Sequence, residues 1–127
     1  MERILAVIEA QERRCEVLFR ACLLAQRTLA KVYVLLVLPS GCSEFLEREA
    51  RKMLEPLIDK QRNQGTPLEY YIVEGELERE VIRFIMEHNI DLIVWFAGDN
   101  DERFKMAVNV QRTTGCRLEF VRSRMKR

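Results

Sequence analysis

The sequence has few of the residues that mark a specialised site. Of its 127 residues, five are glycine, four cysteine, three proline and one histidine. It also lacks a charge excess, because 21 lysines and arginines against 20 aspartates and glutamates leave a formal net charge of +1. A nucleic-acid-binding domain usually shows a basic excess, and a disordered chain combines high net charge with few aliphatic residues. With 48% hydrophobic residues, the composition predicts one globular domain over residues 1–127 that does not bind nucleic acid.

The cysteines and the histidine are too dispersed for a metal site. The cysteines form no Cys-x-x-Cys pair and lie far in sequence from His88; they are Cys15, Cys22, Cys42 and Cys116. A zinc ion needs four such ligands in close clusters, so we expect no metal site. The first two share one side of a predicted helix, which favours packing over redox chemistry. His88 is expected at a helix C-terminus, where a cation is favoured, rather than as a catalytic acid or base.

No apolar run approaches the roughly 18 residues of a membrane span. The first run, Ile4 to Ile8, ends at Glu9 and is too short for the core of a secretion signal. We therefore expect a cytoplasmic protein with no transmembrane segment and with reduced thiols.

Positive charge is concentrated in the last six residues, which contain Arg122, Arg124, Lys126 and Arg127. Removing these four charges from the net +1 leaves −3 for the rest of the chain. A solvated terminus is the commoner role of such a tail, and contact with a phosphate or an anionic membrane is the alternative.

Apolar runs alternate with helical patterns along the chain. The runs are rich in aliphatic and aromatic residues, and several are continuous, as in strands that helices cover on both faces. They are Ile4 to Ile8, Val32 to Leu38, Leu68 to Val73, Leu92 to Phe96 and Leu118 to Val121. Amphipathic spacing predicts helices from about Glu12 to Leu29, from an N-cap at Ser43 toward Arg62, and from a start after Gly75 to an end at His88 and Asn89. This alternation predicts a three-layer, doubly wound, Rossmann-like α/β fold around a five-stranded parallel sheet.

Two segments leave alternatives open. Pro56 lies inside the second predicted helix, so we expect either a kink near residues 52–55 or a break. Between Arg103 and Arg112 the apolar residues alternate as they do in a strand; they are Phe104, Met106, Val108 and Val110. Topology favours a helix there instead, because the last strand needs a crossover to join the sheet in parallel.

In a parallel sheet of this kind, ligands bind beyond the carboxyl ends of the strands, where the strand order reverses. Glu9 ends the first strand, and its carboxylate either holds a ribose or base donor or starts a helix. A phosphate-binding loop needs several glycines, yet the loop after the fourth strand has Gly98 alone, followed by Asp99, Asp101 and Glu102. These acidic residues disfavour a nucleoside triphosphate, and two acids in a turn act as caps more often than as ligands of a hard cation. No catalytic set can be assembled, so we expect no enzyme.

Four segments resemble the universal stress protein family. They are Arg3 to Glu9 as the first strand, Val32 to Val37 as the second, Glu74-Gly75-Glu76-Leu77 at the start of the third helix, and Asp91-Leu92-Ile93-Val94 as the fourth strand. The last two are the most specific, and the resemblance covers essentially the whole chain. It implies the strand order 3-2-1-4-5 and a homodimer, often paired through the fifth strands, here Cys116 to Arg122.

The segments that bind ATP in members of this family are altered here. The family's ATP binders have Asp-Gly after the first strand and a Gly-x2-Gly-x9-Gly-Ser or Gly-Thr run after the fourth. This chain has Glu9-Ala10 in the first place, no glycine between Gly98 and Gly115, and Phe104-Lys105 where Gly-Ser would stand. The resemblance therefore implies either a divergent member that does not bind ATP or a cleft that holds another small ligand.

Together these patterns favour a non-enzymatic, homodimeric stress-response or regulatory module that contacts an unidentified protein partner and holds no cofactor. The alternative is an adenine-nucleotide binder for ATP or AMP, with an atypical cleft formed by Glu9, the backbone of Val37, and Gly98. A third hypothesis is regulation of a membrane transporter, since related domains are attached to transporters and the basic tail could face anionic lipid.

Overall fold

Strands and helices alternate strictly along the chain. The structure, a computed structural model, describes residues 1–97 and 101–122, except for the side chain of residue 101. Its strands are β1 (Arg3–Glu9), β2 (Lys31–Leu38), β3 (Leu68–Glu74), β4 (Leu92–Phe96) and β5 (Arg117–Val121). Its helices are α1 (Glu16–Thr28), α2 (Glu44–Asn63), α3 (Leu77–His88) and α4 (Asp101–Thr114). Every predicted strand is confirmed to within one residue at either end.

The five strands form one parallel sheet in the order β3-β2-β1-β4-β5. Residues of β1 face alternate layers: Ile4, Ala6 and Ile8 pack in the core beneath α1 and α2, while Leu5 and Val7 pack beneath α3 and α4. This confirms the three-layer α/β fold and the strand order. The order reverses between β1 and β4, and Glu9 extends the face of β1 that carries Leu5 and Val7.

The prediction that the first helix starts at about Glu12 is wrong by four residues. The N–H groups of Glu12 and Arg13 both donate to the Glu9 carbonyl, at 3.1 and 2.9 Å. Arg13 has a left-handed φ of 53°, so a turn rather than a helix follows β1. The amphipathic pattern begins only at α1, and the turn keeps Glu12 beside the end of β1.

α2 continues through Pro56 without a break, so that alternative is wrong. Pro56 lies on the exposed face of the helix, where water can replace the missing backbone hydrogen bond. The predicted N-cap is confirmed, because the Ser43 hydroxyl accepts a hydrogen bond from the Leu46 N–H at 3.1 Å. Of the helices that the structure describes, none has the length and hydropathy needed to cross a membrane.

The segment with strand-like alternation is helical. α4 buries Ala107 and Val110 in the core beneath α3 and α4, whereas Phe104 is 47% exposed. The strand alternative is wrong because β5 must cross over to lie parallel to β4, and this connection requires a helix on one face of the sheet. Gly115 ends α4 with a φ of 73° and donates its N–H to the Gln111 carbonyl at 2.8 Å.

Candidate functional site

Glu9 lies at the carboxyl end of the central strand, where the strand order reverses. Glu9 is in register with Val37 of β2, and its side chain is 9% exposed. It does not start a helix, because α1 begins seven residues later. The helix-start alternative for Glu9 is therefore wrong, and a buried carboxylate remains at the place where this class of fold binds ligands.

The guanidinium of Arg103, in the first turn of α4, binds this carboxylate. Its Nη2 donates to Glu9 Oε1 at 2.8 Å, and its Nη1 donates to Glu12 Oε1 at 2.8 Å. The Arg103 side chain is 10% exposed and that of Glu12 is 30% exposed. We call these three residues the Glu9–Glu12–Arg103 triad. Its charge-assisted hydrogen bonds join β1, the following turn and α4.

Trp95 adjoins the triad from β4. It is fully buried and belongs to the core beneath α3 and α4, on the face of the sheet that carries Glu9. Its indole N–H lies near enough to the Glu9 carboxylate to favour the anion, yet it has no hydrogen-bond partner in the part of the chain that the structure describes. This N–H therefore favours the ionised form of Glu9.

The ionised form of Glu9 depends on Arg103. Burial raises the pKa of Glu9 above its ordinary value, and the neighbouring carboxylate of Glu12 raises it further. The Arg103 guanidinium acts in the opposite direction by charge and by hydrogen bonding. Arg103 is thus the main group that favours the ionised form of this buried carboxylate.

A second arginine lies at the rim of the site. The guanidinium carbon of Arg14 is 4.4 Å from the centre of the Phe96 ring, within cation–π range, and its Nε is 3.9 Å from Glu12 Oε2. Glu9 and Glu12 are therefore matched by two arginines. The site is close to neutral overall and is occupied by side chains of the protein itself.

The other two residues of the predicted cleft are placed differently. Val37 is buried, and its carbonyl already accepts the N–H of Ala10 at 3.0 Å. Gly98 lies outside the described residues, as does Asp99. In the basic tail, Arg122 is described and exposed, whereas Arg124, Lys126 and Arg127 lie outside the described residues. The structure thus brings the backbone of Val37 beside Glu9, and the Val37 carbonyl is already hydrogen-bonded to Ala10 there.

Phe104 and Lys105, which replace the Gly-Ser pair of ATP binders, lie within the first two turns of α4. Their backbone is helical, and both side chains are exposed. Sequence reasoning singled out these two positions but missed Arg103 immediately before them. Its partner is 94 residues away in sequence, and nothing in the local pattern of charges distinguishes it from the other arginines.

His88 lies far from the triad, beside the amino-terminal half of β2. As expected, it is the last residue of α3. Its ring stacks on Phe84 with centroids 3.9 Å apart and contacts Tyr33 and Tyr71. Its Nδ1 lies 3.1 Å from the Phe84 carbonyl. This is a packing role.

The thiols are suited to packing as well. Burial raises the pKa of Cys22 and of Cys116 to about 11, and it also raises the pKa of Cys15. Within residues 1–97 and 101–122, no group of three or more histidine, cysteine, aspartate or glutamate side chains is placed to hold a metal ion.

A separate apolar surface lies along the edge strand β5. In the described chain, β5 pairs with β4 on one side only. Phe120 of β5 stacks against Phe104 of α4 with ring centres 5.4 Å apart. Beside them a shallow groove of about 390 Å³ runs along α4, lined by Phe104, Lys105, Val108, Asn109 and Arg112. An unpaired strand edge next to exposed aromatic residues is the kind of surface that associates with another strand.

Comparison with known proteins identifies solved structures that share this fold. Neither a family model nor a curated protein matches the chain in sequence. Among solved structures, a protein of the universal stress protein family from Burkholderia pseudomallei is 17% identical, with a TM-score of 0.73 over 94% of this chain and 95% of that one. A universal stress protein in complex with cAMP is 17% identical, with a TM-score of 0.71 over 95% and 96% of the two chains. The universal stress protein from Archaeoglobus fulgidus in complex with dAMP is 24% identical, with a TM-score of 0.68 over 94% and 96%.

These identities are low, yet the matches span nearly the whole of each chain and share the strand order found here. The chain has the fold of the universal stress proteins.

Proposed function

We propose that this protein is a divergent universal stress protein that acts as a non-enzymatic regulatory module, with a nucleotide cleft closed by its own Arg103. The observation that carries the proposal is the pair of 2.8 Å hydrogen bonds from Arg103 to Glu9 and Glu12. They place a side chain of the protein at the switch point where a ligand would bind in this fold.

The energetics oppose an adenine nucleotide in this cleft. A phosphate that drew Arg103 away would leave the Glu9 carboxylate buried without a counterion. Removing one partner of a buried ion pair costs about 3–5 kcal/mol, which weakens binding by roughly 10² to 10⁴. The backbone of Phe104 and Lys105 is helical and carries side chains, so it does not form the bare loop that surrounds phosphates.

Calorimetric titration with ATP, AMP, cAMP and dAMP at up to about 1 mM tests the proposal. We expect no saturable heat from this protein, whereas the dAMP-bound relative from Archaeoglobus fulgidus serves as the positive control. Saturable binding of any of these nucleotides, abolished by Glu9→Ala, would overturn it.

The second candidate function is adenine-nucleotide binding in an atypical cleft. It is favoured by the cAMP and dAMP complexes of two proteins with this fold. It uses the Glu9 carboxylate to hold the ribose or base, so it predicts that the wild type binds nucleotide and that Glu9→Ala binds it more weakly. Unchanged or absent binding in both proteins contradicts this function.

The proposed module is a homodimer that associates through β5. The unpaired edge of this strand and the exposed Phe104, which stacks on the partly buried Phe120, support this arrangement. Light scattering after gel filtration should give twice the chain mass of 15.0 kDa. Phe104→Glu should shift the mass toward the monomer. Phe45→Glu, a matched change at a 66% exposed phenylalanine on α2, should not. A monomeric wild type would refute the dimer.

A further inference from the structure

The two carboxylates of the triad hold one guanidinium group in a defined geometry. Glu9 and Glu12 each contribute one oxygen, and each oxygen binds a different terminal nitrogen of Arg103 at 2.8 Å. A guanidinium is planar and presents its donors as a rigid fork. The turn after β1, which both Glu12 and Arg13 form by bonding to the Glu9 carbonyl, fixes the spacing of the two oxygens.

Two further groups adjoin the carboxylates. The fully buried indole N–H of Trp95 lies close to the Glu9 carboxylate and favours its ionised form. The ring of Phe96, against which Arg14 already packs, adds an aromatic surface at the rim. The site thus offers two carboxylates, one of them favoured as the anion by a buried N–H, and an aromatic ring over which a guanidinium can pack.

We propose that Glu9 and Glu12 form a guanidinium-binding site, and that Arg103 is its internal occupant. An external guanidinium group, carried by a small molecule or by an arginine of a partner protein, would bind when the Arg103 side chain withdraws. This inference rests on the proposed function in one respect: the cleft at the carboxyl end of β1 is the ligand-binding position of the protein.

The chemistry of the site selects this class of ligand. Two neighbouring carboxylates repel phosphates and other carboxylates, so an anion is excluded unless Arg103 stays to bind it. A lysine-type ammonium is a point charge and lacks the fork that reaches both oxygens. A guanidinium alone reproduces both hydrogen bonds that the structure shows.

The test is chemical rescue of Arg103→Ala. The probe is guanidinium chloride or methylguanidinium chloride at up to about 20 mM, far below the molar concentrations that unfold proteins. Sodium chloride at matched ionic strength and urea at matched concentration serve as solution controls. Thermal unfolding is followed for four proteins: the wild type, Arg103→Ala, Arg103→Ala with Glu9→Gln, and the matched surface variant Arg51→Ala, whose arginine pairs with two exposed carboxylates.

We expect Arg103→Ala to gain stability from the probe, with a dissociation constant of roughly 0.1–10 mM, because a ligand of four or five atoms cannot bind much more tightly. The melting temperature should rise by a few degrees near saturation. The wild type and Arg51→Ala should not respond, because their site is filled by Arg103. Adding Glu9→Gln should remove the response.

Two results would overturn the inference. One is a folded Arg103→Ala that shows no rise in melting temperature, and the other is an equal rise in all four proteins. If Arg103→Ala fails to fold, Arg103→Lys takes its place, because it keeps the positive charge but lacks the fork.

Titration of Arg103→Ala with a peptide separates the two sources of the ligand, which are a small molecule and an arginine of a partner protein. Binding of a Gly-Arg-Gly peptide at least about tenfold tighter than methylguanidinium would assign the site to an arginine of a protein. Equal affinities would assign it to small molecules. Binding of ATP by the wild type would refute the proposed function while leaving the guanidinium result intact, so the two failures are distinguishable.

Discussion

Replacing Arg103 by alanine should destabilise the protein more than any substitution of a surface arginine. The change leaves the Glu9 carboxylate, 9% exposed, without its counterion. Breaking a buried pair by removing one partner costs about 3–5 kcal/mol. The contact with Glu12 adds less, because Glu12 is 30% exposed and exposed pairs contribute about 0–1 kcal/mol. We therefore expect a loss of about 3 kcal/mol at pH 7.

This loss is large enough to measure by two routes. An unfolding entropy of roughly 2.1 cal/mol/K per residue gives about 0.27 kcal/mol/K for 127 residues. A loss of about 3 kcal/mol then lowers the melting temperature by about 11 °C. Urea unfolding followed by circular dichroism should show a lower midpoint with an unchanged slope, because the surface exposed on unfolding stays the same.

Two further variants show whether the ion pair is the cause. Glu9→Gln in the Arg103→Ala background should recover part of the lost stability, because a neutral amide needs no counterion. Arg51→Ala removes surface pairs with Glu47 and Glu55, in which the arginine is 46% exposed and the carboxylates are 39% and 34% exposed, and it should change the free energy of unfolding by less than about 1 kcal/mol. The reasoning fails if Arg103→Ala lies within about 1 kcal/mol of the wild type, or if its loss is the same with Gln at position 9.

Three other predictions concern acid, thiols and a helix cap. The loss caused by Arg103→Ala should shrink as the pH falls, because without Arg103 the pKa of Glu9 rises further above its ordinary value. A carboxyl group whose pKa is raised by folding adds stability that is complete below its pKa in the unfolded state. This stability disappears as the pH rises through its pKa in the folded state. Urea unfolding at about pH 4.5, near the ordinary glutamate pKa, and at about pH 7 checks this, and an equal loss at both would exclude Glu9 as the cause. Iodoacetamide followed by peptide mass spectrometry should label the half-buried Cys42 well before Cys22 and Cys116, whose pKa values of about 11 keep them protonated; equal labelling rates would contradict their burial. Ser43→Ala should lower the free energy of unfolding by about 1 kcal/mol through loss of the cap on Leu46 N–H, whereas Ser40→Ala, in an exposed turn, should leave the urea midpoint unchanged.

The strands and most helices could be predicted because their signal is local. A continuous apolar run such as Leu92–Phe96 can only be a buried strand when helical patterns flank it, and the structure places it in the sheet. The start of α1 and the conformation of residues 101–114 were harder to predict from the sequence. Arg13 takes a left-handed turn that periodicity does not report, and the apolar residues of α4 alternate by chance while topology requires a helix.

The candidate site could also be predicted from the sequence only in part. Its place, at the carboxyl end of β1, follows from the fold class, and Glu9 follows from its position after an apolar run. Gly98 and the loop around it lie outside the described residues, so that part of the predicted cleft stays a prediction. The role of Arg103 followed neither from the fold class nor from the local sequence pattern, since its two partners precede it by 94 and 91 residues.

By itself the sequence determined the alternation of strands and helices, the parallel sheet and the poverty of glycine at the phosphate loop, because hydrophobic periodicity and backbone chemistry act over a few residues. Only the tertiary structure decided that the carboxylate at the switch point is bound by an arginine of the same chain. Ion pairs form between groups that folding brings within about 4 Å, and a chain with 21 basic and 20 acidic residues offers hundreds of possible pairs until its fold selects a few.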